Sequence, residues 1–341
     1  MKNKRIVFTA PCVAELLESE IGMPASDQVL VKTVYSTISS GTERANLIGD
    51  THTSILEKPT TASAVFPRIV GYSSSGVVYA VGANVKSVKP RDKVAVSWGT
   101  HSLYQMSDEN NVHFLEDGNS IQDGALGVID IFPLAAIRKC HLEMGESAVV
   151  MGLGVLGLIA VQLLRAGGAY PVIAVDPVEE KRKKVLSLGA DAALDPFATN
   201  FTEQVHSLTH GGAKVAVEVT GNGKALDQVL DCMAKLGRIA LLGCTRNSDF
   251  TIDYYRKVHG PGISLIGAHT NARPQTESSS GLWTTKDDIR TLMQFSANGR
   301  MWLGQMVEEI HSPAEAGEVF GRLTVEKHFP VVQFNWSMLG D

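Results

Sequence analysis

Gly152-Leu153-Gly154-Val155-Leu156-Gly157 stands between an apolar run, AVVM, and a stretch of helical periodicity, and glycines at that spacing can hold a diphosphate. The first permits a tight turn, the second lets backbone N–H groups approach a pyrophosphate, and the third lets the following helix pack closely on the strand. The helix N-terminus, where Val155 and Leu156 fall, then faces the diphosphate with its partial positive charge. Asp176, nineteen residues after Gly157 at the end of the next apolar run, adds a carboxylate that can accept hydrogen bonds from the adenosine ribose hydroxyls. A carboxylate there repels a 2′-phosphate, so NAD(H) is favoured over NADP(H) as the cofactor. The competing reading is that the glycines merely serve a buried turn and Asp176 caps the segment after it. Lys181 and Arg182 could hold a 2′-phosphate, but within VEEKRKKVLSLG they read as a solvated helix face paired with Glu179 and Glu180.

The elements that must position these groups are set by the apolar pattern. Short runs at 148–152, 171–176, 191–195, 214–221, 238–243 and 263–267 are separated by helix-like stretches such as 178–189 and 224–237. Strands alternating with helices predict an α/β fold with a Rossmann doubly wound parallel sheet. Gly243 and Ala268, closing the fifth and sixth runs, then belong to the nicotinamide half, because ligands sit beyond the carboxyl ends of parallel strands. Residues 1–125 differ: β-favouring runs (KRIVFTA, QVLVKTVYS, RIVGYSSSGVVYAVG, DKVAVSW) punctuated by Gly, Pro and Ser predict a strand-rich domain. Gly49 to Pro67, rich in Thr and Ser, reads as a long loop. The last third predicts a helix over Lys286–Ala297, another after Ser312-Pro313 and a closing strand, VVQFNW.

Composition removes several classes of function. The 341 residues carry 31 Lys and Arg against 36 Asp and Glu, a net charge of -5, with the basic residues scattered, which argues against a nucleic-acid partner. The uncharged stretch from Ser147 to Leu164 approaches the length of a membrane span, yet its glycines cut it into strand, turn and helix, so no membrane association is expected. Glu15, Glu18 and Glu20 interrupt the N-terminus where a secretion signal would stay apolar, which makes a cytoplasmic location the expectation. Cys12, Cys140, Cys232 and Cys244 lie far apart and read as reduced, mostly buried thiols.

The chain resembles the medium-chain dehydrogenase/reductase superfamily of alcohol dehydrogenases and quinone reductases over nearly its whole length. The resemblance rests on Ser39-Ser40-Gly41-Thr42-Glu43, on Gly71-Tyr72-Ser73-Ser74-Ser75-Gly76-Val77-Val78 with Val81-Gly82 and Asp92-Lys93-Val94 behind it, and on Phe132-Pro133-Leu134-Ala135 before the glycine motif. It implies a GroES-like catalytic domain made from 1–125 and 273–341, a nucleotide domain over 126–272, a substrate held in the cleft and a homodimer. In zinc-dependent members a cysteine stands where this chain has Ser40, a His-Glu pair where it has Tyr72 and Ser73, and an acidic or thiol ligand where it has Phe132. The four clustered cysteines of the family's structural zinc lobe are missing from 97–115 as well. Hydroxyls are poor zinc ligands, so no metal is expected.

Proton chemistry then falls to side chains. The resemblance gives Thr42 the position of the hydroxyl that bonds the substrate alcohol, puts Tyr72 where the zinc-binding His would project, and puts His101 in the segment lining the site's mouth; all three are candidate catalytic residues. Tyr72 and His101 read equally as satisfied structural groups, and Glu43 as an ion-pair partner of Arg44. Ser40, Asp130, His269, Arg273 and Trp283 are the substrate-side candidates, the last three from a polar segment, 269–295, that resembles a zinc-lacking branch of sugar, polyol and bacteriochlorophyllide-type dehydrogenases. The expected activity is hydride transfer between NAD(H) and a secondary alcohol or ketone of a small, polar, sugar- or polyol-like substrate. A quinone or enone reductase and a non-catalytic dinucleotide-binding protein are the alternatives.

Overall fold

The computed structural model describes residues 1–53, 65–246 and 250–340. Most of the loop expected from Gly49 to Pro67 lies outside them. The chain divides into two units: 1–129 with 289–298 and 303–341, and 130–288 with 299–302.

Unit 1 begins with β1 (Lys2–Ala10), β2 (Val13–Glu20), β3 (Gln28–Thr37), helix α1 (Ser40–Leu47), β4 (Arg68–Ile69), β5 (Ser73–Val81), β6 (Lys93–Ser97), β7 (Tyr104–Asp108), β8 (Val112–Phe114), α2 (Ile121–Gly124) and the start of α3 (Gly127–Lys139). Gly71, at φ +95°, breaks the run predicted over 68–82 into β4 and β5. Unit 2 supplies β9 (Ala148–Met151), α4 (Val155–Ala166), β10 (Val172–Val175), α5 (Glu179–Ser187), β11 (Ala192–Leu194), α6 (Phe201–Leu208), β12 (Ala213–Glu218), α7 (Gly223–Asp231), β13 (Met233–Leu241) and β14 (Ser264–Gly267). The chain returns to unit 1 within α8 (Thr285–Ala297) and adds β15 (Glu309–His311), α9 (Ala316–Val325) and β16 (Val332–Asn335).

In unit 1, β2-β1-β4 form one sheet; β15-β16-β3-β5-β6-β8, with β7 also on β3, form another. Alternate residues Val29, Val31, Val94 and Val96 are fully buried and fill one core; Phe8, Phe320, Phe334 and Trp336 fill a second, Phe8 edge-on to Phe320 at 4.9 Å. Unit 2 is a six-stranded parallel sheet in the order β11-β10-β9-β12-β13-β14. Chain order reverses between β9 and β12, so the turn after β9 opens at the point where such sheets take ligands. This is the expected doubly wound fold with a strand-rich partner.

Some expectations shift. The stretch 224–237, read as one helix, ends its helix at Asp231; Met233 opens β13, because Cys232, Met233 and Ala234 are buried and Met233 pairs with Ala213. The chain rejoins unit 1 at Ile289 rather than at 273. Arg273 and Arg138 both bond Asp288, at 3.2 and 3.0 Å, and hold that segment within unit 2. Two of the four thiols, Cys12 and Cys244, are exposed; burial raises those of Cys140 and Cys232 to about 12. Among the described residues no helix is long and apolar enough to cross a membrane.

A charged cluster ties β15 to α9. His311 Nε2 meets Glu309 at 2.8 Å and Nδ1 meets Glu315 at 2.5 Å, while Arg322 donates to both oxygens of Glu309. Partial burial alone would lower the His311 pKa, but the bonds to Glu309 and Glu315 outweigh it and raise it from 6.5. Glu309 is held down at about 2, chiefly by Arg322, so it stays ionised across the working range. A folded-state pKa above the unfolded one gives stability that is complete below about pH 6.5 and fades as pH climbs through the raised value. His311→Gln is therefore expected to cost roughly 0.5–1 kcal/mol more at about pH 6 than at about pH 9. Urea unfolding at both pH values checks this, and an equal cost would contradict it.

Candidate active site

The three glycines of the turn in unit 2 play different parts. Gly152 sits at φ +100°, which an L side chain rarely adopts. A Cβ on Gly157 would lie 1.9 Å from the Gly152 carbonyl oxygen, so only glycine lets α4 start this close to β9. A Cβ on Gly154 would meet nothing within 4 Å. That open space lies before the first turn of α4, whose Val155, Leu156 and Gly157 N–H groups have no partner inside the helix. The turn thus fits the diphosphate of a dinucleotide.

Asp176 closes one side of the turn. It is 7% exposed; its Oδ2 accepts the Leu153 N–H at 2.8 Å and its Oδ1 the Val178 N–H at 2.9 Å. A carboxylate has about four acceptor positions, so capacity remains for ribose hydroxyls. Arg182, expected on a solvated face, instead donates to the Asp176 carbonyl at 2.7 Å and lies 3.6 Å from Asp195; Lys183, not Arg182, pairs with Glu179. Beyond β12, the buried Glu218 side chain gathers the Thr220 N–H, the Thr220 hydroxyl and the Gly221 N–H. Burial raises its pKa, against the pull of those bonds. A Cβ on Gly243 would lie 2.1 Å from the Gly221 nitrogen, so Gly243 lets the loops after β12 and β13 meet, and Ala268 is buried with its N–H on the Leu241 carbonyl. Glu218 carried no spacing signal in the sequence.

Unit 1 holds a second constellation. Trp336 Nε1 donates to Ser36 Oγ at 2.9 Å, Ser36 meets His101 Nδ1 at 2.8 Å, and His101 Nε2 meets Glu43 Oε2 at 2.9 Å. A carboxylate only accepts, so in the neutral ring Nε2–H donates to Glu43 and Nδ1 accepts the Ser36 hydroxyl. Glu43 Oε1 accepts the Ser39 N–H at 2.9 Å, and Tyr72 donates to Ser39 Oγ at 2.5 Å. Tyr72 is half-buried with its ring 5.9 Å from that of Trp98. Thr42 and Ser40 are half-buried on α1.

His101 is 0% exposed with both ring nitrogens engaged, so the expectation that it lines the mouth of the site is corrected: it is a buried framework residue. Gly71 permits this, since a Cβ there would lie 2.6 Å from the His101 nitrogen. Glu43 pairs with His101 rather than Arg44, which donates to the Leu323 and Glu326 carbonyls. Arg273 is also corrected. Its side chain is 4% exposed and all three guanidinium nitrogens are committed, to Thr270, Asp288 and Ile131. Trp283 is half-buried with one face under Arg138, 3.6 Å away. Asp130 is fully buried on α3. His269 is exposed beyond β14, and what cover it has, then the Lys139 charge, lower its pKa from 6.5.

A zinc ion, which the fold family implies, does not fit these residues. Among the described residues no group of three or more His, Cys, Asp or Glu is placed to hold a metal. Ser73 Oγ is committed to the Ala125 carbonyl and the Tyr72 hydroxyl to Ser39. No step is derived through a metal.

Sheet order, glycine turn and strand-rich partner define a nicotinamide-type dehydrogenase fold. The chain is similar to proteins of the medium-chain dehydrogenase/reductase superfamily, and these relatives support an oxidoreductase. A family model, "Zinc-binding dehydrogenase", matches residues 155–285, a stretch that contains none of positions 40, 72 and 132. L-threonine 3-dehydrogenase of Thermococcus kodakarensis is 27% identical over 328 residues, covering 86% of this chain and 87% of that protein. D-guloside 3-dehydrogenase of Escherichia coli K12 is 23% identical over 333 residues, covering 93% and 95%. The fold matches that of an alcohol dehydrogenase from Escherichia coli CFT073 solved with NADH, at a TM-score of 0.81 and 16% identity over 98% of this chain and 99% of that one.

Gly154→Val and Gly157→Val separate binding from folding. Gly154→Val is expected to leave the melting temperature within about 2 °C and to weaken NADH binding at least about tenfold, because the new side chain meets only the ligand's space. Gly157→Val is expected to lower thermal stability, because its Cβ must displace α4. Thermal melts with NADH fluorescence titration check both; Gly154→Val binding NADH normally would remove the diphosphate from this turn.

Proposed function

We propose that this oxidoreductase is a zinc-independent, NAD(H)-dependent dehydrogenase interconverting a secondary alcohol and its ketone on a polar, sugar- or polyol-like substrate. The observation carrying the reading is the Asp176 carboxylate beside the open Gly154 turn. A bound nicotinamide would supply hydride-transfer chemistry at the substrate carbon.

The chain's own residues do the rest. Backbone N–H groups at the start of α4 receive the diphosphate, and Asp176 accepts the ribose hydroxyls while its charge opposes a 2′-phosphate. Thr42 and Tyr72 hydrogen-bond the substrate hydroxyl, and the Glu43–His101 pair keeps α1 in place beneath them. Ser40 is a further polar contact for the substrate; the committed Arg273 is not. Relatives named for threonine and for a guloside support a polar, hydroxylated substrate. The donor set at positions 40, 72 and 132 supports working without zinc. β14 ends its sheet with Ser264 and Leu265 exposed, which supports a homodimer paired along that edge.

The test is coenzyme reduction with a panel of polyols and sugars. NAD⁺ is expected to outperform NADP⁺ in kcat/KM, and Asp176→Ser to reduce that preference at least about tenfold. An unchanged ratio would remove the ribose contact. Turnover confined to quinones or enones with NADPH, or nicotinamide binding without turnover of either class, would replace the reading.

A further inference from the structure

Asp176 and Asp195 stand at the carboxyl ends of neighbouring strands: Val175 of β10 pairs with Leu194 of β11, and the Asp176 N–H reaches the Leu194 carbonyl at 3.3 Å. Arg182 of α5 turns back to this end of the sheet. Its Nη1 donates to the Asp176 carbonyl at 2.7 Å and lies 3.6 Å from Asp195 Oδ2, with its side chain only 18% exposed. On the same nine-residue helix Lys183 is 70% exposed and paired with Glu179, so the inward course of Arg182 is a departure from its neighbour's. A carbonyl takes one of the guanidinium's N–H groups and leaves the charge uncancelled; Asp195 meets the charge. Asp195 is itself fixed, because its Oδ1 accepts the Phe197 N–H at 2.9 Å.

A guanidinium is the side chain best matched to a phosphate, with parallel N–H groups and a charge kept at any working pH. Arg182 rests on the residue whose carboxylate takes the ribose in the proposed function. A free arginine there would favour a coenzyme phosphorylated at the 2′ oxygen, against the preference that Asp176 sets. We propose that Asp195 is a second coenzyme-selectivity residue, which disfavours a 2′-phosphate by holding Arg182. Asp176 acts directly through its carboxylate; Asp195 is a positioning residue that acts through the guanidinium. This rests on the dinucleotide reading of the Gly152–Gly157 turn, and adds that unit 2 carries a phosphate ligand held out of use.

The test measures binding to the full chain by calorimetry, with NADH and NADPH as one pair of probes and 5′-AMP and adenosine 2′,5′-bisphosphate as the other. Asp195→Asn removes the charge and keeps an acceptor for the Phe197 N–H, so a thermal melt is expected to show the fold retained; Asp195→Ser, which also offers an acceptor, gives an independent reading. In an Asp176→Ser background, where direct repulsion is gone, Asp195→Asn is expected to shift affinity about fivefold further toward NADPH over NADH, and toward the bisphosphate over AMP. In an Asp176→Ser, Arg182→Gln background the same change should move neither ratio. A shift that survives without Arg182 makes Asp195 a direct repeller and overturns the proposal. Unmoved ratios, with or without a lowered melting temperature, leave Asp195 a tie between α5 and β11 and overturn it as well, while NADH binding keeps the dinucleotide reading standing. If the unaltered protein binds neither NADH nor NADPH, that reading fails and the inference falls with it.

Discussion

The hydrogen bond between Glu43 and His101, sealed from solvent, is the contact around which unit 1 is organised. Four segments distant in sequence meet through it: β3 through Ser36, α1 through Glu43 and Ser39, the 98–103 loop through His101, and the C-terminal stretch through Trp336. A buried carboxylate is tolerable only when its oxygens are satisfied, and here both are, one by an imidazole and one by a backbone N–H. Removing the imidazole would strand the carboxylate and cost about 3–5 kcal/mol. The same contact leaves the Ser39 hydroxyl available to Tyr72, which donates to it.

Unit 2 depends on a different constraint, the closeness of backbone to backbone. Gly157 against the Gly152 carbonyl and Gly243 against the Gly221 nitrogen are contacts without room for a side chain. They bring α4 to the end of β9 and draw together the loops after β12 and β13. Of the three glycines in the turn, Gly154 alone would carry a Cβ that meets nothing within 4 Å, whereas Gly152 and Gly157 are held by close neighbours.

Much of unit 2 was legible in the sequence because its signals are local. Six apolar runs, the glycine spacing and Asp176 lie in order along the chain, and all six runs became strands of one sheet. The boundary at 224–237 misread because a helix and the strand after it abut, and an apolar Cys-Met-Ala fits either period. Unit 1 was less legible. Ser40, Thr42 and Tyr72 were nameable only through a family pattern, whereas Ser39, one residue away, showed its part only through a partner 33 residues on. His101 and Arg273 were placed toward substrate because their chemistry suits it. Burial, which depends on the packing of distant segments, assigns them to the framework.

The proposed function requires a dehydrogenase fold that works with hydroxyls at positions 40 and 72, where the family pattern has zinc ligands. The direct measurement is metal content by mass spectrometry on protein produced in zinc-supplemented medium, coupled to NAD⁺-dependent polyol oxidation before and after exhaustive chelation. Zinc well below one equivalent and unchanged turnover after chelation are the predicted result. One equivalent of zinc, with activity lost on its removal and restored on its return, would contradict it.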